Sequence, residues 1–319
     1  MADKRYLRST INLYANLGAV APIPDGYVLL ELYINGSSTP LYVVRKNAVE
    51  QPNGNIEIYE ASFEVGELFS DYIDVEFDGN YTNQALQCQA LIKFFFSDNT
   101  EYTAARGTFD FYGVDGYTYF QEGTQIVTGT PPAITTRTLY VPENTTGYVP
   151  TFSATGFAYN SFSATATTKT INGVTWKIIR ECTPKYEPYK ITFVNRYGAL
   201  EDIWFTLVRR NSSQAKSEVF KRNIVKADGT YDTYQHQTKT FNHTGTDSFV
   251  MNTPYVDQTF NDTYQELLLS KKIWITENGQ VLPVILETKS LDLKQHVVDR
   301  LIQYEIGFKY AFDKINKVR

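Results

Sequence analysis

The chain has 319 residues with 30 Lys and Arg against 35 Asp and Glu, a formal net charge of −5. That length supplies two ordinary domains with their own cores, and two cysteines, Cys88 and Cys182, are too few for a disulfide framework: they form one bridge or remain two core thiols. Interspersed signs with an acidic balance exclude a general nucleic-acid binder, which shows a basic face, and no apolar run approaches the ~18 residues of a membrane span.

The 24 Tyr and 20 Phe stand against two Met. With Thr, Val and Ile they suit a pleated, half-buried surface, and Asn, Gly, Ser and Asp supply turns. The expected fold is all-β, with two β-sandwich-type domains and one short helix in the second. Met-Ala-Asp-Lys-Arg-Tyr6 has no apolar segment of a secretory signal, so synthesis and assembly are expected in a cytoplasm.

Residues 1–128 read as the first sandwich. Strands are expected at 27–34 and 40–45 around Asn35-Gly36, then at 56–63 after Asn53-Gly54, at 72–77 before Asp78-Gly79, at 86–96, and at 101–111 after Asp98-Asn99. Residues 129–172 open on Gly129-Thr-Pro-Pro132 and read as an extended Pro/Thr/Ser-rich linker or arm. Within 151–168 the bulky residues are Phe152, Phe157, Tyr159 and Phe162, too few to build a core. Two readings stay open: an arm that inserts these rings into a neighbouring subunit, or a mobile surface loop.

Residues 173–319 read as a second sandwich-like domain. Strands are expected at 175–180, 217–225 (before Asp228-Gly229), 272–275 and 281–286, the last two flanking Glu277-Asn-Gly279. A short helix is expected at 263–270 with Asp262 or Asn261 as N-cap. The final strand, 301–312, carries Ile302, Tyr304, Ile306, Phe308, Tyr310 and Phe312 at even positions, a period of two that no helix produces.

No constellation in the sequence compels a chemistry. His236 and His243 fall in polar, loop-like sequence, and even with Asp247 they lack zinc-ligand spacing; His296 stands apart. Nucleophile-elbow and phosphate-loop motifs are absent. The acidic run Asp71, Asp74, Glu76, Asp78 is either the wet face of an antiparallel strand or, with Asp74 and Glu76, the carboxylate pair of a polysaccharide hydrolase. Tyr117 and Tyr119 in the aromatic stretch 111–120 either pack across strands or stack on sugars in a carbohydrate- or receptor-binding module. Lys271, Lys272 and the tail Lys309, Lys314, Lys317, Arg319 are edge charges that ring symmetry would gather into a band facing DNA. The chain is expected to be no enzyme, with no catalytic residue, metal or cofactor.

The most distinctive stretch is Tyr189-Lys-Ile-Thr-Phe-Val-Asn-Arg-Tyr-Gly-Ala-Leu-Glu-Asp-Ile-Trp-Phe205. Ile191 and Phe193, then Ile203 and Phe205, alternate with their neighbours, and 195–198 sits between them as a turn. With its lead-in Lys185-Tyr-Glu-Pro-Tyr189 it resembles a segment of virion proteins from large tailed phages of Bacteroidota, the crAss-like group among them. The resemblance covers roughly twenty residues and implies a structural part of the tail, neck or ring. It would be assembled in the host cytoplasm as a homo-oligomeric ring of about six or twelve copies against other virion proteins, with DNA as a candidate passenger through the lumen. The residues carried over are Asn195, Gly198, Trp204 and Phe205, in an architectural role: Asn195 bonding the turn backbone, Gly198 freeing φ, Trp204 and Phe205 anchoring the return strand.

Overall fold

The computed structural model describes residues 3–16, 26–47, 60–96, 98–181, 185–292 and 302–315. The fold is all-β. Strands β1 (Asp3–Tyr6), β2 (Asn12–Asn16), β3 (Tyr27–Ile34), β4 (Tyr42–Asn47), β5 (Glu60–Glu64), β6 (Leu86–Phe95), β7 (Gly107–Val114) and β8 (Ile126–Val127) come first. They are followed by β9 (Thr138–Pro142), β10 (Thr146–Phe152), β11 (Phe157–Ser163), β12 (Thr168–Ile171) and β13 (Val174–Glu181). The remainder are β14 (Tyr189–Val194), β15 (Leu200–Phe205), β16 (Arg209–Lys221), β17 (Thr238–Asn252), β18 (Ile273–Glu277), β19 (Gln280–Leu286) and β20 (Glu305–Tyr310). Among the described residues two α-helices interrupt them, α1 (Gly66–Ser70) and α2 (Asn261–Leu268).

Alternation sets the first sheet, whose order is β4-β3-β6-β7-β1-β8. Val28, Leu30 and Leu32 of β3 and Cys88, Ala90, Ile92 and Phe94 of β6 all point inward, while Lys93 and Glu31 on the other face form a 2.7 Å ion pair. The β2–β5 pair and α1 cover the inward face, contributing Leu13, Phe63 and Phe69 to one core. Asn35 and Gly36 both take positive φ in a tight turn, closed by the Ser37 N–H to the Ile34 carbonyl at 2.9 Å, that begins the longer loop between β3 and β4.

A seven-stranded antiparallel sheet, β15-β14-β18-β19-β20-β17-β16, holds the second core. Tyr304, Ile306 and Phe308 are buried on the even face expected of the final strand, against Phe205, Phe249 and the helix residues Tyr264 and Leu267. Helix α2 begins at Asn261, earlier than the sequence suggests. The chain enters it through a 3₁₀ turn, Gln258–Phe260, which Asp257 caps by accepting a hydrogen bond from the Thr259 N–H at 3.0 Å.

The strand expected at 101–111 begins only at Gly107, after a 3₁₀ turn at Thr103–Ala105, the one expected at 217–225 ends at Lys221, and α1 is a helix outside the second domain. Two further expectations need correction. Residues 72–77 alternate in burial, with Val75 and Phe77 inside and Asp74 and Glu76 outside, yet they form no strand. They instead carry Val75 and Phe77 across to Val194, Leu200 and Trp274 of the C-terminal sheet. Residues 129–172 are not an extended linker: they hold β9 to β12, and β9 pairs in parallel with β13. Leu139, Val141, Val149 and Phe162 build a third core there around Trp176 and Ile178. The 151–168 part reads as coreless because Phe162 packs on Leu139, Val141 and Trp176, which lie outside it in sequence. The expected strand residues 56–59, with Asn53-Gly54, and Cys182, His296, Lys317 and Arg319 fall outside the described residues.

Candidate functional site: a buried turn and an exposed ribbon

Strands β14 and β15 pair from Tyr189 opposite Phe205 to Val194 opposite Leu200, leaving 195–199 as the connection. Asn195 is fully buried at its start. Its Oδ1 accepts from the N–H groups of Tyr197 (3.0 Å) and Ala199 (3.1 Å), and its Nδ2 donates to the Ala133 carbonyl and to Glu201 Oε2, each at 2.8 Å. Those four bonds satisfy a carboxamide completely. Gly198 has φ +83°, and a Cβ there would lie 2.8 Å from the Asp115 backbone. The turn is thus pressed onto the end of β7, where the Tyr117 N–H donates to the Arg196 carbonyl at 2.7 Å. Phe205 is buried in the second core, and Trp204 packs, half-buried, against the third.

Beneath the turn lie two carboxyls that no sequence motif marks. Glu201 and Glu266 are both almost wholly buried. Glu266 accepts from Thr135 Oγ1 and from the Arg196 N–H, and burial raises its pKa to about 7. Burial first, then the charge of Glu266, push Glu201 well above the usual carboxylate range, although the Asn195 amide opposes the shift. Glu201 lines a narrow pocket of about 20 Å³, room for one water. The pair therefore ties β15, α2 and the 133–135 segment together.

The four rings assigned to an inter-subunit arm are occupied within this chain. Residues 146–163 fold into the β10–β11 hairpin, with Phe152 opposite Phe157 and Phe162 opposite Gly147. Phe152 and Phe157 pack with Tyr6, Val114 and Ala199, and Phe162 joins the third core, where only a glycine at 147 leaves room for its ring. The Tyr159 hydroxyl accepts from the Leu200 N–H at 3.0 Å, binding this hairpin to the β14–β15 hairpin.

The other candidates are dispersed. Asp74 and Glu76 are exposed, and Asp74 is paired with Lys272. Tyr117 is buried and Tyr119 half-buried, edge to face with each other at 5.8 Å, with Arg8 over one ring and Arg196 over the other. They are therefore not the exposed platform that a sugar-stacking reading needs. His243 bonds Thr240 at 2.8 Å on β17, and among the described residues no group of three or more His, Cys, Asp or Glu is gathered as for a metal. Among those residues, too, no helix is long and apolar enough to cross a membrane.

The most conspicuous surface feature is the β16–β17 pair, with strands of 13 and 15 residues. Strand β20 flanks β17 only from Asn252 to Ser248. Lys314 then braces the ribbon through an N–H bond to the Gly245 carbonyl (2.7 Å) and an ion pair with Asp247 (3.0 Å). Beyond that brace a two-stranded ribbon with both faces in solvent extends roughly 25 Å at ~3.4 Å per residue. Phe220 and Phe241 meet edge to face at 5.7 Å near its end, both still partly exposed.

The tip is ordered without a core. The Lys226 N–H donates to the Thr230 carbonyl (2.8 Å), and Asp232 accepts from Lys226 Nζ (2.7 Å) and the Tyr234 hydroxyl (3.1 Å). This arrangement holds out Tyr231, 62% exposed, and Tyr234, 78% exposed. The strand expected at 217–225 and the turn at Asp228-Gly229 mark its outer part, where β16 ends at Lys221 and Gly229 takes positive φ; the length of the ribbon is not announced, because Asn, Ser, Thr and Gln on both faces leave no apolar alternation to read.

No protein-family model matches this chain, and no curated protein or solved structure matches it.

Proposed function

We propose that this chain is a non-enzymatic structural component of a phage virion, a tail, neck or ring protein that assembles in the host cytoplasm by protein–protein contacts as a homo-oligomer. The observation that carries the reading is the β16–β17 ribbon. A two-stranded ribbon gains little stability alone in water, and this one presents unsheltered aromatic rings far from any core. Such a part makes sense when a neighbour covers it. Support also comes from the 189–205 resemblance, whose Asn195 ties the turn to Ala133 and Glu201 and whose Gly198 lies against the Asp115 backbone just past β7. DNA passing through a lumen belongs to the same proposal.

The test is the mass of the purified protein by light scattering, followed by negative-stain electron microscopy. Closed rings of about six or twelve copies are expected, and a protein that stays monomeric at high concentration argues against the ring. A second reading, a receptor- or carbohydrate-binding module, draws on Tyr231 and Tyr234 at the tip, since exposed rings also stack on sugars. Binding on a glycan array that disappears in a Tyr234→Ala variant would favour it.

A further inference from the structure

The same face of β19 that carries Pro283 and the 57%-exposed Ile285 borders a groove of about 360 Å³. Phe77 and Trp274 line its floor, and Glu76 and Asp78 stand on its rim. Lys271 and Lys272 line the groove too, but Asp115 and Asp74 pair with them, so four carboxyls stand against two ammonium groups and the excess charge at the rim is negative. The groove is thus apolar at its base and acidic at its lip.

The ribbon tip has the opposite character. From Lys221 to Lys239 inclusive it carries four Lys or Arg against Asp228 and Asp232; with Lys226 paired to Asp232, Lys221, Arg222 and Lys239 leave a net positive charge beside the exposed rings of Tyr231 and Tyr234. With Tyr234 78% exposed, the tip does not fold back onto its own groove. Edge-to-edge pairing of ribbons is disfavoured by the irregularity between Lys216 and Glu218 and by lysines along β16, devices that blunt a free strand.

We infer that the ribbon tip of one copy seats in the acid-rimmed groove of the next, so that aromatic rings fill the apolar floor and lysines meet Glu76 and Asp78. This rests on the homo-oligomeric reading above and gives it a contact. Tip and groove are different surfaces, so the contact is head-to-tail, the kind that closes into a ring when the rotation per copy divides a full turn. Complementary charge aligns the partners and makes assembly sensitive to salt.

The experiment uses two variants of the full chain at exposed positions, Tyr234→Asp in the tip and Ile285→Asp in the groove, with circular dichroism melts to establish that each folds as the parent does. A third, Glu76→Lys, changes the rim by charge alone. Light scattering is expected to give rings for the parent and, for each variant, self-association weakened about thirtyfold or more, as loss of a central contact residue does. Mixing the tip variant with the groove variant leaves one intact tip and one intact groove, so a one-to-one dimer and nothing larger is expected. Rings that persist in all three variants overturn this contact while the ring reading stands, and leave the ribbon to a different virion protein. A parent that is monomeric overturns both.

Discussion

Asn195 closes its own turn with one side-chain atom and holds two distant segments with the other, which is why so short a motif can carry so much structure. Gly198 beside it has no tolerable substitute: an added Cβ meets the Asp115 backbone at 2.8 Å and the φ of +83° disfavours any L side chain. Gly198→Ala is expected to lower stability by about 2–5 kcal/mol in denaturant titration, from backbone strain and overpacking together. A midpoint within error of the parent would remove the turn from its architectural role. The carboxyls underneath make stability depend on pH. Glu266 has a folded pKa of about 7, raised from 4.5, so its contribution is fully present below about 4.5 and lost as pH rises through about 7. The difference corresponds to about 3 kcal/mol. Glu266→Gln is therefore expected to flatten the fall in melting temperature between pH 5 and pH 8, and an unchanged slope in that variant would remove Glu266 as its source. The Cys88 thiol, fully buried and pushed up to about 12 by desolvation, is expected to resist thiol reagents until the chain unfolds.

Two hairpins illustrate opposite uses of the same element. The β14–β15 pair alternates Ile191, Phe193, Ile203 and Phe205 into a core, and that alternation is plain in the sequence. The β16–β17 pair is longer, yet from Gln214 outward its side chains mostly face water. Since the ribbon buries little, replacing residues 216–244 by an Asn-Gly turn joining Ala215 to Gly245 is expected to leave the melting temperature within about 3 °C of the parent, a change below about 1 kcal/mol. The same deletion is expected to abolish rings. Ring formation by the shortened chain would place the subunit contacts elsewhere on the molecule.

The molecule as a whole is stitched across its apparent boundaries. Tyr6 and Val114 from the first sheet, Ala133, Phe152 and Phe157 from the middle stretch, and Ala199 from the turn share one buried cluster. Val75 and Phe77 share another with Trp274. Interlocked cores of this kind unfold together, so a single calorimetric transition is expected, with equal calorimetric and van't Hoff enthalpies. A fragment of residues 1–128 is expected to expose Tyr6, Val75 and Phe77 and to aggregate. Two resolved transitions would restore independent domains.

All-β character, the tight turns at Asn35-Gly36 and Asn278-Gly279, and the inward face of β20 were legible in the amino-acid order, because each rests on neighbours two residues apart or on a residue's own φ preference. The Asn195 turn was legible for the same local reason. Distant contacts decided the rest. Phe152, Phe157, Tyr159 and Phe162 look stranded until Tyr6, Leu200 and Trp176 arrive around them. Glu201 and Glu266 look like ordinary surface acids until the turn closes water away from both. Burial is a property of what folds over a residue, and in this chain much of what folds over these groups lies far from them along the sequence.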